Sequence, residues 1–225
     1  CPNQEFESMQ RREFSRSLLA AGATTALGAT AALTLTPAYA QLTGLKEGTD
    51  FVRLGRPAPV DSQAGTIEVV EFFAYSCIHC YNFEPLLADW MKKLPANVVV
   101  RRTPVAFNEA FVPMQRLYYA LEAMGQVGAL HEKVFRAFHV DKQRLQNPAV
   151  IVDWVGKQGV DMKKFNELFG SFSVVGKAKK ATQLQDAYQV EGTPSLGVGG
   201  RYYVTGQGPR TLVVANALIA DLRKA

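Results

Sequence analysis

The residues from Ile67 to Tyr75 form an almost unbroken apolar run, and after Ser76 the chain reads Cys77-Ile78-His79-Cys80. A run this apolar reads as a central strand buried on both faces rather than a half-exposed one. The cysteine pair then falls where that strand ends and a helix begins. The helix is expected from Cys77 to about Leu94, and Pro95-Ala96-Asn97 separates it from a second strand, Val98 to Pro104. Strand, helix and strand joined by a crossover of this length make a parallel βαβ unit.

Two thiols three residues apart on a helix share one face, so their sulfurs can close a small disulfide ring with little backbone movement. Cys77 sits at the helix N-terminus, where unpaired backbone N–H groups and the positive end of the dipole favour thiolate over thiol. His79, inside the ring, is a candidate second stabiliser. Cys77 is therefore the expected attacking sulfur and Cys80 the resolving one. Each unit by which the thiolate pKa falls is worth about 1.4 kcal/mol, or about 30 mV for a two-electron couple. Stabilising the thiolate stabilises the reduced form, so such a disulfide tends to be given away. Two plainer readings compete. A zinc site needs about four ligands, but the third cysteine is the distant Cys1, and none of His79, His131 and His139 repeats the spacing. An inert structural disulfide is the other.

The compartment is read from the other end of the chain. Gln10-Arg11-Arg12-Glu13-Phe14-Ser15-Arg16 precedes an uncharged stretch, Ser17 to Leu45, and Pro37-Ala38-Tyr39-Ala40 supplies a small-x-small cleavage pattern. Residues 1–40 thus read as an N-terminal extension and export signal cleaved after Ala40. The paired arginines resemble the twin-arginine type, from which Gln10 and Ser15 depart, and an ordinary secretory route stays open. A retained membrane anchor would be denser in Leu, Ile, Val and Phe. Residues 1–8 precede Met9, which reads as a start, so Cys1 carries no functional weight. Gln41 follows the cleavage point, and a lipid-anchored terminus is not indicated.

The formal net charge of +5 is unchanged without residues 1–40, which hold three arginines and three glutamates. Basic residues are scattered in pairs such as Lys92-Lys93, Arg101-Arg102, Lys163-Lys164 and Lys179-Lys180, the pattern of solvated helix faces rather than of a nucleic-acid stripe. Residues 41–225 are long enough for one core with an inserted subdomain. An exported chain whose two remaining cysteines are three apart has no disulfide scaffold, so its one pair is free to cycle.

Elsewhere, Asp50 to Leu54 is a short strand candidate. Met114, Leu117, Tyr118, Leu121 and Met124 fall at helical spacing, as do Leu130, Val134, Phe135 and Phe138. Pro148 to Lys157, Asp161 to Phe169 and Ser173 to Tyr188 are further helices. Ser195 to Val198 and Arg201 to Thr205 flank Gly199-Gly200, a two-residue hairpin turn, and a helix from Pro209 to Arg223 ends the chain. The expected organisation is a first α/β part at 41–107, a helical insertion at 108–172 and a second α/β part at 173–225.

The segment from Glu71 through Cys77-Ile78-His79-Cys80 to Tyr81-Asn82-Phe83-Glu84 resembles the active-site segment of the DsbA family of periplasmic thiol:disulfide oxidoreductases. The order of elements, with helices inserted after the second strand, is similar too. The resemblance implies an α/β thioredoxin fold with an inserted all-helical domain. It further implies that Pro194, in Gly192-Thr193-Pro194-Ser195, is a cis-proline opposite the cysteines, where the residues alone leave an ordinary trans turn before a strand open, and that the Thr193 backbone pairs with an extended substrate by strand addition. Glu71 and Glu84 match acidic positions beneath the active site, and Arg102 falls near their basic partner. They are expected to tune the redox chemistry as proton acceptors, or else to form a structural ion pair. Ile78 stands where the best-known members carry proline. It restores a backbone N–H and adds apolar bulk beside the reactive sulfur and the bound substrate, effects of opposite sign on the thiolate.

The function implied is oxidation of cysteine pairs in newly exported proteins by a monomer acting through its own Cys77–Cys80 disulfide, with no cofactor, no metal and no nucleic acid. A quinone-linked, DsbB-like membrane oxidase is the implied partner for turnover. A disulfide isomerase or reductase is the nearer alternative, although Gln41 to Thr66 is too short for the dimerisation module that exported isomerases tend to carry. A periplasmic metal chaperone or a peptide-binding protein is the alternative of another class.

Overall fold

The computed structural model describes residues 44–224, so the export signal expected at residues 1–40 lies outside the described residues. The first long element is β2, Ile67–Phe73, an interior strand. Before it comes β1, Val52–Arg53, shorter than the expected Asp50 to Leu54. The helix α1, Ile78–Met91, starts one residue later than expected because Cys77 is its N-cap, with extended backbone at φ −87° and ψ 115°. Pro85 lies inside α1. Its missing N–H costs the helix about 3 kcal/mol, which burial of Phe83, Leu87 and Trp90 offsets at about 1.5–3 kcal/mol each.

β3, Val98–Pro104, pairs parallel to β2 with Glu71 opposite Arg102. The sheet runs in the order β1-β5-β4-β2-β3, with β4 at Ser195–Val198 and β5 at Tyr202–Val204. The other three strand pairings of this sheet among the described residues are antiparallel. Gly199 and Gly200 make the β4–β5 turn at φ 58° and 67°, values that favour glycine and suit the twist of a hairpin.

Between β3 and β4 the chain is helical: α2, Val112–Ala123; α3, Val127–His139; α4, Pro148–Gly156; α5, Met162–Phe169; and α6, Phe172–Ala187. Side-chain caps set several starts, Asn147 for α4, Asp161 for α5 and Ser171 for α6. The last element is α7, Pro209–Leu222. Among the described residues no helix is long and apolar enough to cross a membrane.

The alternation of β2 side chains divides the core. Val69 faces a cluster with Phe83 and Leu87 of α1 and Leu218 of α7, whereas Val70 and Phe72 face Leu184 of α6 and Tyr188 on the opposite side. The third cluster joins Phe73, Tyr75 and Cys80 to α2, α3, α4, α5 and α6, so the helical segment covers the end of the sheet where the cysteines lie. Met114, Tyr118 and Phe135 are core, as their spacing suggests, and Met124 and Phe138 pack against them, whereas Phe172, at the start of α6, is exposed. The solvated reading of Arg101-Arg102 as a basic pair fails, while its placement on the predicted strand Val98 to Pro104 holds. Both lie on β3, where Arg101 bonds Glu68 and Asp61 and Arg102 points into a buried charge cluster.

Candidate active site

Cys77 caps α1 with its sulfur: the Cys80 backbone N–H donates to Cys77 Sγ at 3.3 Å. Cys77 is half-buried and Cys80 fully buried, and both are free thiols. As a thiol, Cys77 donates to the Thr193 carbonyl oxygen, 3.3 Å away. As a thiolate it accepts instead, and its pKa is lowered to about 5. The main cause is the hydrogen bond from the Cys80 thiol. The Thr193 side chain and the backbone N–H groups of Cys80 and His79 add to it, against the cost of burial. For Cys80 the direction reverses. Burial pushes its thiol far up, and the neighbouring Cys77 sulfur pushes it further. One sulfur is thus held as an anion, and its partner as a neutral donor.

The Thr193–Pro194 peptide is cis and lies across from Cys77. Gly206 packs so close to it that a Cβ there would collide with the Pro194 carbonyl oxygen. A groove of about 620 Å³ opens beside this loop, with His79, Asn82 and Leu86 of α1 on one side and Thr193, Pro194 and Tyr203 on the other. His79 lines the groove, and its backbone N–H reaches the Cys77 sulfur. Ile78 is 45% exposed on the first turn of α1, and the groove lining does not include it.

Glu71 and Glu84 are 1% and 5% exposed. Arg102 joins them: its Nη2 donates to Glu84 Oε1, and its Nε lies 3.1 Å from Glu71 Oε2. Neither oxygen of Glu71 makes a well-formed hydrogen bond. Burial, reinforced by the charge of Glu84 and opposed by Arg102, pushes the Glu71 carboxyl up to about 8. At neutral pH it carries a proton more often than not.

The structure brings together Cys77, Cys80, His79, Thr193 and Pro194, and joins Glu71, Glu84 and Arg102 in one buried cluster. Sequence reasoning missed Tyr75 and His131. The Tyr75 hydroxyl lies 2.9 Å from His131 Nδ1, and His131 Nε2 lies 3.3 Å from Glu84 Oε2. The signal was present: His131 sits on the apolar stripe of α3 with Leu130, Val134 and Phe135, where a buried histidine needs partners. Among the described residues no group of three or more His, Cys, Asp or Glu is arranged to hold a metal ion.

The model of the DSBA-like thioredoxin domain matches residues 68–215. The thiol:disulfide interchange protein DsbA of Bordetella pertussis is 43% identical over 194 residues, covering 86% of this chain and 87% of its own. That of Pseudomonas aeruginosa is 40% identical over 190 residues, covering 83% and 90%. The crystal structure of Pseudomonas aeruginosa DsbA superposes with a TM-score of 0.77 at 39% identity, over 81% of this chain and 96% of that one. The oxidoreductase DsbA from Xylella fastidiosa gives 0.76 at 30% identity, over 80% and 99%. With its fold, its capped cysteine pair and these relatives in agreement, the chain belongs to the DsbA family of thioredoxin-fold proteins.

Proposed function

We propose that this protein is a periplasmic thiol:disulfide oxidoreductase that gives its Cys77–Cys80 disulfide to cysteine pairs of newly exported proteins. The observation that carries this reading is the unequal pair of sulfurs. Cys77 is held as a thiolate by the first turn of α1 and by Cys80, which makes it a good leaving group and makes the reduced form the favoured one.

An extended substrate segment lies in the groove, its backbone pairing with Thr193 and its apolar side chains against Leu86 and Pro194. Its thiolate attacks Cys77 Sγ, forming a mixed disulfide while the Cys77–Cys80 bond breaks and its electron pair goes to the Cys80 sulfur. A buried anion is costly there, so Cys80 takes a proton, and the protonated Glu71 carboxyl, on the β2 face that α1 covers, supplies it. The substrate's second thiol then gives up its proton, which restores Glu71. Its sulfur attacks the substrate sulfur of the mixed disulfide, and Cys77 leaves as a thiolate. Two electrons have passed from substrate to protein.

Reoxidation needs an acceptor, and a quinone-linked, DsbB-like membrane protein docking at the same groove fits that role. The pair itself is the redox group, and the protein works as a monomer. The leader at residues 1–40 carries the chain out of the cytoplasm. Mixing the oxidised protein with an unfolded, reduced dithiol substrate tests this reading. Substrate should be oxidised in step with loss of the Cys77–Cys80 disulfide, and Cys77→Ser should abolish the reaction. A Cys77→Ser protein oxidising substrate at the normal rate overturns it.

A further inference from the structure

Four elements meet at the buried charge cluster, and the fourth is a helix that carries no part of the cysteine motif. The Tyr75 hydroxyl, just beyond β2, contacts His131 Nδ1 of α3, and His131 Nε2 contacts Glu84 Oε2 of α1. The other oxygen of Glu84 accepts from Arg102 of β3. Glu71 of β2 has only the charge of Arg102, without a formed hydrogen bond to either oxygen.

We infer that His131, oriented by Tyr75, is a positioning residue for thiol exchange: by engaging one oxygen of Glu84 while Arg102 engages the other, it leaves Glu71 as the member of the carboxylate pair that carries the transferable proton. This rests on the proton-donor role of Glu71 given above and goes beyond it by assigning what selects the donor. Two carboxylates around one guanidinium leave one surplus negative charge in a dry site, and the pair sheds it by binding a proton. The proton goes to the oxygen pair with fewer donors. Glu84 has a partner on each oxygen, Arg102 Nη2 and His131 Nε2, whereas Glu71 faces only Arg102 Nε, 3.1 Å from Oε2 and without a well-formed hydrogen bond.

With Nε2 donating to Glu84 Oε2, Nδ1 is bare and accepts from the Tyr75 hydroxyl; the opposite tautomer needs a proton on Glu84, which the Arg102 guanidinium on its other oxygen disfavours. This uses a neutral imidazole with one donor and one acceptor, each satisfied. Burial favours that form, lowering the His131 pKa. Glu84 and Glu132 of its own helix favour the charged form, and Arg102 disfavours it. Tyr118 of α2 also faces the ring, 6.1 Å between centroids, and Glu71 lies across Arg102.

The test reads the carboxyls directly, by carbon-13 NMR of glutamate side chains titrated in the full-length reduced protein, with Glu71→Gln and Glu84→Gln to assign the resonances. In the wild type Glu71 should titrate above neutral pH. His131→Leu should lower the Glu71 midpoint by about one pH unit, the worth of one lost charge-assisted hydrogen bond. Tyr75→Phe, a milder change that keeps the packing, should move it in the same direction by less, and His131→Gln, whose amide still donates, should restore the wild-type midpoint. Should His131→Leu fail to fold, Tyr75→Phe carries the test. A role in packing alone lowers stability without moving these titrations. A Glu71 midpoint unmoved in the variants overturns this inference alone. A wild-type Glu71 already ionised below neutral pH overturns both the inference and the proton-donor role.

Discussion

Reducing the disulfide should change the stability of the protein by an amount that depends on pH, because only the reduced form carries a thiolate at residue 77. The Cys77 pKa falls from 9.0 to about 5 in the folded protein. A value depressed on folding contributes stability that is full above the ordinary pKa, declines as pH falls from 9 to 5 and vanishes below. A drop of that size is worth about 5 kcal/mol at full strength. Cys77 is only half-buried, and solvent screening reduces the figure to about 2–3 kcal/mol. The disulfide works against it: closing so small a ring in the unfolded chain favours the oxidised form by about 2 kcal/mol. Glu71 has the opposite sign, since a raised carboxyl pKa contributes stability lost as pH rises from 4.5 through about 8. It is present in both redox forms and cancels to first order in their difference. Between pH 5 and 9 the reduced form should therefore gain about 2–3 kcal/mol on the oxidised one, enough to overtake it near the alkaline end. Equilibrium urea unfolding of both forms across that range, with the reduced one kept under a phosphine, measures the difference. A difference independent of pH, or one in which the reduced form loses ground as pH rises, refutes the reasoning.

Cys80→Ala removes the donor that does most to hold the Cys77 anion; the thiolate pKa should rise by about one unit, and an unchanged ultraviolet thiolate titration would show that the backbone N–H groups suffice. Arg102→Met leaves Glu71 and Glu84 buried without their cation, at a cost of about 3 kcal/mol above pH 8. The loss should shrink in acid, where Glu71 is protonated, and equal losses at both pH values would contradict the assignment of charges. Gly206→Ala drives a methyl group into the Pro194 carbonyl oxygen. Unfolding should come about 1–3 kcal/mol more easily, with slower formation of mixed disulfides, whereas wild-type behaviour in both assays would mean that the loop yields without cost.

Some of this architecture was plain in the sequence for a simple reason: its signals are local. The apolar run from Ile67 and the cysteine spacing place β2 and the start of α1, and β3 has the predicted bounds, Val98–Pro104. Helical spacing marked the residues of α2 and α3 that enter the core. The charge cluster is different in kind. It joins Glu84 to Arg102, 18 residues away, and to His131, 47 residues away, and only the parallel register that sets Glu71 opposite Arg102 brings the carboxylates together. Family resemblance pointed to Glu71, Glu84 and Arg102 but not to His131, which in sequence is one more position on an apolar stripe. Charge counting misled at Arg101-Arg102, because a basic pair gives no sign of whether it faces water or carboxylates.

The central claim is that residue 77 holds a sulfur anion at a pH where a free cysteine is a thiol, and that this makes its disulfide an oxidant. Following the ultraviolet absorbance of the thiolate against pH in the reduced protein, together with the redox equilibrium against glutathione, tests both halves at once. The account predicts a midpoint near 5, well below the ordinary 9.0, and a disulfide that glutathione readily reduces. A midpoint close to that of free cysteine, with a disulfide that resists glutathione, would contradict it.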